Sequence, residues 1–211
     1  TQVGAGQIEE IAHRHGLASN VYRYRILGEF PTSEEDACIP LGWIEAACKR
    51  DVERDAAYLP VWGLDVARFG DDKTALVKRA GNVLLEPPKF WRGKDTMQVS
   101  GLMKLEYEQA MDEKCEPHEI LVDVIGIGAG VVDRLRELGL PVRGINVAES
   151  PAIREQYLRL RDELWWRARE WFGGKACKIP EPGSVTGAQE DAMELLISEL
   201  SQPKYDALSS G

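Results

Sequence analysis

Two aspartates stand where carboxylates are costly. Asp65 lies in the run VWGLDVARFGDDKTALV at residues 61–77, and Asp123 lies in ILVDVI at residues 120–125. A charge inside a strand-like apolar run is expensive to bury unless something compensates it, and a cation does so. If the two runs form neighbouring strands, both carboxylates reach one ion, and an all-oxygen ligand set suits Mg²⁺ or Mn²⁺. Two such ions about 4 Å apart can flank a phosphodiester, one activating the attacking water and the other stabilising the leaving oxygen. Asp71 and Asp72 follow Gly70 in the loop after the first run. Gly-Asp-Asp is good turn chemistry; Asp72, which leads directly into the next run, also has the chemistry of a third ligand.

Other residues bear on the same question. Lys73, Lys78, Arg79, Lys89, Arg92 and Lys94 gather after Asp65, with Trp91 among them. They read either as a DNA-facing patch or as charges on a solvated edge. Residues 154–169 (REQYLRLRDELWWRAR) carry five arginines, a local basic stripe that can hold phosphates on an acidic chain. Trp165, Trp166 and Trp171 sit at helical spacing and read as core. Gly126, Gly128 and Gly130 follow the Asp123 run but miss the dinucleotide fingerprint, because Val131 takes the third glycine's place. Such a turn either holds a phosphate at a helix N-terminus or lets helix and strand pack closely. No GxxxxGK[ST] sequence occurs, so P-loop ATP hydrolysis is not expected of this chain.

The elements that must position these groups follow from periodicity. Residues 5–16 read as a short helix and 19–31 as an irregular stretch. Pro40 opens a helix at 41–54, with Leu41, Ile44, Ala47 and Cys48 at helical spacing. From residue 58 the texture changes to strands at 61–66, 74–79 and 83–86, joined by tight turns into an antiparallel meander. A helix at 96–111, a strand at 120–125, a helix at 128–138 closed by Gly139, a strand at 142–147 and helices at 153–172 and 189–200 complete the order. A meander followed by βαβ units predicts an α/β mixed sheet flanked by helices.

Composition narrows the class. The chain has 211 residues, 44% of them hydrophobic and 29% charged, which suits one large domain or one domain with an extension. No apolar run approaches a membrane span, and the N-terminus shows no signal-peptide pattern, so a cytoplasmic protein is expected. The four cysteines lack CxxC spacing and read as free thiols. A net charge of −9 argues against a generally basic nucleic-acid binder, but it is compatible with a carboxylate-lined metal site.

Taken together, YRYRILGEFP at 22–31, IPLGWIEAA at 39–47, GLDVARFGDDKTAL at 63–76, ILVDVIGIGAGVVDRL at 120–135 and RDELWW at 161–166 resemble tailed-phage terminase large subunits. The resemblance implies an RNase H-like nuclease domain at 58–211, shortened at its C-terminus. It is preceded at 1–57 by a linker or helical extension from the ATPase–nuclease junction. It implies a metal-dependent endonuclease that cuts concatemeric double-stranded viral DNA during packaging in the host cytoplasm. Portal protein and small terminase subunit are its implied partners. Asp65 and Asp123 match the family's first two catalytic acids, and Arg161 and Glu163 match an Arg-x-Glu of its long helix. The family's third acid, in a Ser-Pro-Asp-x-Ala-Asp-type segment, has no counterpart; Asp191 and Asp206 are the candidates for its role. The expected metal ligands are Asp65, Asp123 and Asp72, and the expected DNA contacts are Lys73, Lys78, Arg79 and Arg161. Other readings remain open at this point: a non-catalytic docking module of the motor, a Rossmann-like nucleotide-binding domain, and a sugar-kinase or actin-type nucleotide binder.

Overall fold

The structure, a computed structural model, describes residues 37–67 and 72–205. The helix expected at 5–16, the stretch at 19–31, Asp71 and Asp206 lie outside the described residues.

Helix α1 (Leu41–Lys49) comes first, then β1 (Pro60–Asp65), β2 (Lys73–Ala80), β3 (Val83–Leu84) and β4 (Lys89–Arg92). Helix α2 (Thr96–Asp112), β5 (Glu119–Asp123), α3 (Gly128–Glu137), β6 (Val142–Ile145), α4 (Leu160–Gly173) and α5 (Ala188–Ser201) follow. One mixed sheet runs β3-β2-β1-β5-β6, with β4 also paired to β2. β1 is antiparallel to β2 and parallel to β5, and β5 is parallel to β6. This is the predicted meander followed by crossovers. Its three antiparallel pairings rule out the all-parallel doubly wound sheet of a Rossmann domain.

Alternation along the strands sorts residues onto two faces. Trp62 and Leu64 of β1 register with Lys78 and Leu76 of β2 and with Ile120 and Val122 of β5. That face packs under Val99 and Met103 of α2 and Val131, Val132 and Leu135 of α3, all buried. Burying each large apolar side chain stabilises by about 1.5–3 kcal/mol. Slipping β1 by one residue would expose Trp62 and Leu64 and turn Asp65 into this core, so the register is strongly held. The other face carries Val61, Gly63, Asp65, Ala75, Val77, Leu121 and Asp123. Its lower part is covered by a second core, where α1, α4 and α5 meet Leu84, Cys177 and Ile179. Arg169 of α4 ties the beginning of the described chain to this core. Its Nη1 donates to the carbonyls of Ala37 and Cys38 at 3.0 and 2.7 Å, and its guanidinium stacks among Trp43, Trp166 and Tyr205.

Four expected boundaries move. α1 stops at Lys49, five residues short, because Arg50 turns extended and its guanidinium reaches the carbonyl and sulfur of Cys177, both at 3.1 Å. The strand expected at 83–86 ends at Leu84 before Pro87 and Pro88, and an unexpected fourth strand resumes at Lys89 on the same edge of β2. β6 ends at Ile145 rather than at 147. The helix expected from 153 begins at Leu160, since residues 148–159 form turns and Arg159 is extended. Among the described residues, no helix is long and apolar enough to cross a membrane.

Candidate metal centre

Asp65 and Asp123 close two adjacent parallel strands. Leu64 registers with Val122, and the next residue on each strand is an aspartate, so both carboxylates leave the same face at the same end. Asp65 is exposed and Asp123 half-buried, and exposed Gly63 beside them leaves that end of the face open. Asp65 also stands opposite Ala75 of β2. The chain leaving β1 is anchored by the buried Thr74, whose hydroxyl accepts from the Ala67 amide at 3.1 Å. Asp123 is held by its own turn, its Oδ1 accepting from the Ile125 amide at 3.0 Å.

The electrostatics are those of negative charge only partly offset by a cation. Asp65 is pushed above its ordinary carboxylate range, first by partial loss of hydration and then by the Asp123 charge. Arg161 opposes the rise and Asp72 adds to it. Asp72 is exposed, immediately before β2. Four groups from four chain segments therefore act on one point: the ends of β1 and β5, the loop before β2, and the first turn of α4. Arg161 arrives there because its amide donates to the Val147 carbonyl at 3.0 Å, docking the N-terminus of α4 beyond the end of β6. Among the described residues, no group of three or more His, Cys, Asp or Glu side chains gathers as a ready cage. Two hard carboxylates on an open face still fit an ion of the Mg²⁺ class, which keeps several waters and takes one or two carboxylates.

Solved terminase nucleases share this architecture. The nuclease domain of the large terminase subunit gp2 of bacterial virus Sf6 aligns with a TM-score of 0.60 at 18% identity, over 82% of this chain and 84% of that one. A mutant gp2c of the large terminase subunit from bacteriophage Sf6 with calcium aligns at 0.59 and 19%, over 81% and 84%. The large terminase nuclease from thermophilic phage G20c with bound magnesium aligns at 0.56 and 12%, over 86% of each chain. The fold is that of a terminase nuclease domain. The RNase H-like mixed sheet implied by the resemblance is therefore present. No family model matches the chain, and no curated protein does.

The glycine turn of this terminase-type fold serves packing. A Cβ on Gly128 would stand 1.8 Å from the Asp123 carbonyl oxygen, so helix α3 starts hard against the strand that bears Asp123. Gly126 has φ +80°, which favours glycine. Gly130 faces open space.

The basic residues divide. Lys73 opens β2 on the carboxylate face, since it is two residues from Ala75, and its ammonium lies 5.4 Å from the Phe90 ring. Arg92 registers with Lys73, on the same face. Lys78 points to the face opposite the two aspartates and is engaged there by carboxylates. Only 11% of its side chain is exposed, and its ammonium lies 2.6 Å from Glu106, 2.9 Å from Glu86 and 4.5 Å from the Trp62 ring centre. Lys89 joins the same network through Glu106 at 2.6 Å and Glu86 at 3.4 Å. Burial alone would lower the pKa of Lys78, but the bonds to Glu106 and Glu86 outweigh it and the value is raised. Arg79 is exposed, 5.8 Å from the Trp171 ring centre. Asp191 sits in the first turn of α5, beside a cavity of about 480 Å³ that Lys73, Phe90 and Gln189 also line. Two things escaped the sequence reading, strand β4 and the burial of Glu163. Strand β4 was signalled by the aromatic KFWR after Pro87-Pro88. The second, the buried Glu163, had no signal beyond the Arg-x-Glu match.

Proposed function

We propose that this chain is a metal-dependent endonuclease of a DNA-packaging motor, cutting concatemeric double-stranded viral DNA. The observation that supports it most is the shared face and shared strand end of Asp65 and Asp123 within a terminase nuclease fold. Asp65 and Asp123 are the proposed ligands for Mg²⁺ or Mn²⁺, with Asp72 at the rim. Bound there, such ions supply Lewis-acid activation of water and stabilisation of the leaving oxygen.

The chain's own residues do the rest. The two carboxylates, already repelling each other, gain when a divalent charge is placed between them. Arg161 approaches the same point and steadies a phosphate beside Asp65, while Lys73 and Arg92 on the same face hold the flanking backbone. Phosphate contacts position DNA without reading it, so cutting shows little base preference. In the assembled motor the reading makes residues 58–211 the nuclease and 1–57 the link to an ATPase half. Portal protein and small terminase subunit are the partners, in the host cytoplasm.

The test is Mn²⁺-dependent nicking and linearisation of plasmid by wild type, Asp65→Asn and Asp123→Asn. An ion's contribution of several kcal/mol corresponds to a loss of roughly 10³-fold or more in each variant. Undiminished cleavage by either variant in a clean preparation refutes the assignment.

A further inference from the structure

Glu163 is the sole buried charged side chain among the described residues, at 5% exposure. The cleavage machinery proposed above has no use for it. Removing a carboxylate from water costs several kcal/mol unless partners replace the lost hydration. Here its Oε2 accepts from the backbone amide of Ala152 at 2.6 Å, and its Oε1 lies 3.6 Å from the Arg167 guanidinium one turn along α4.

Ala152 is the middle of a strap, residues 146–159, that connects β6 to α4. The strap is folded on itself: Asn146 receives the amides of Ala148 and Glu149, and the Ile153 carbonyl receives those of Gln156 and Tyr157. Pro151 is buried. Three bonds pin the strap to α4: Glu163 to Ala152, the Leu160 amide to the Glu149 carbonyl at 2.8 Å, and the Arg161 amide to the Val147 carbonyl at 3.0 Å. The last of these fixes the backbone of Arg161, whose charge opposes the rise of the Asp65 carboxyl. We propose that Glu163 is a positioning residue: by gripping the Ala152 amide it locks the strap to α4 and thereby fixes the first turn of that helix, and with it Arg161, where a DNA phosphate approaches. The pinning stands on the geometry alone; its consequence for DNA rests on the nuclease reading.

Two measurements on the whole chain test it. Trypsin can cut the strap after Arg154 or Arg159. Glu163→Ala is expected to speed those cuts at least tenfold over wild type. Glu163→Gln, whose amide oxygen still accepts from Ala152, stays within about threefold. Glu163→Met, similar in size and without an acceptor, gives the same answer if the alanine variant fails to fold. In plasmid cleavage, Glu163→Ala lowers kcat by ten- to a hundredfold with KM for DNA little changed, and Glu163→Gln restores most of it. Arg161→Ala lowers kcat comparably, and the double variant is no slower than Arg161→Ala alone, as expected when one residue acts through the other. Wild-type proteolysis of the strap in the alanine and methionine variants, or multiplying effects of Glu163→Ala and Arg161→Ala, overturns the proposal. Cleavage indifferent to Asp65→Asn sinks the nuclease reading separately, and the trypsin experiment then still decides the pinning.

Discussion

Gly128→Ala is the sharpest perturbation this structure offers, because one methyl group tests how Asp123 is held. The added Cβ would stand 1.8 Å from the Asp123 carbonyl oxygen, 2.9 Å from its carbonyl carbon and 3.7 Å from a Val122 methyl. The smallest separation that real Cβ atoms show is about 3.0 Å, so helix and strand must part by about 1.2 Å (3.0 − 1.8). Neither side yields easily. Val131, Val132 and Leu135 anchor α3 in the main core, and Asp123 ends a strand paired on both edges. Overpacking of this kind costs about 1–3 kcal/mol. For a chain of this length that is roughly 2–12 °C in Tm, at about 2–4 °C per kcal/mol. A displacement near 1 Å at a reacting group can cost about a hundredfold in rate. Differential scanning calorimetry and Mn²⁺-dependent plasmid cleavage read the two effects. Gly130→Ala is the control: its Cβ meets nothing within 4 Å, and it lies in the same helix. Alanine there should stabilise by about 0.5–1 kcal/mol and leave cleavage unchanged. Wild-type melting and cleavage in Gly128→Ala, or equal damage from Gly130→Ala, refutes the close-packing argument.

Asp65 is raised above its ordinary 3.8, so its ionised form costs stability above the folded-state value, and the cost fades as pH falls from that raised value towards 3.8 and is gone below it. Asp65→Asn should therefore melt at or slightly above the wild type at pH 7 without metal. The gain stays under about 1 kcal/mol because the site is solvent-screened, and it disappears in acid. With Mn²⁺ at a hundred times its Kd the wild type gains about 2.7 kcal/mol and Asp65→Asn does not, which melting curves with and without the ion check. Lys78→Met leaves Glu106 with Lys89 alone. It should lower stability by about 1–3 kcal/mol in urea titration while leaving the salt dependence of DNA binding as it was. A reduced salt slope, near 0.9 per lost phosphate contact, would return Lys78 to the DNA surface.

Much of this was legible in one dimension, because it depends on neighbours in sequence. Apolar runs around Trp62, Leu64, Ile120 and Val122 marked two strands, and the meander followed by crossovers gave the sheet's mixed character. The twin aspartates stood out because each interrupted such a run. The positive φ of Gly139 ends its helix where the local signal pointed. Failures came where a distant partner overrode local preference. Arg50 left its helix for Cys177, and residues 153–159, where a helix was expected, form turns behind the Ala152 amide that Glu163 accepts.

Residue order alone says which side chains share a face along one strand, since that period is local. It does not say which strand lies alongside or in what register. That Asp65 and Asp123 end level on the same face required parallel pairing of β1 with β5, which burial of Trp62 and Leu64 beneath α2 and α3 enforces. Likewise, the sequence marks a basic cluster after Asp65, but packing separates its members. Lys78 is drawn beneath α2 by two carboxylates, and Lys73 and Arg92 stay on the acidic face. Charge type is written in the chain; which charges remain open to a ligand is settled only when helices cover one face and leave the end of the other bare.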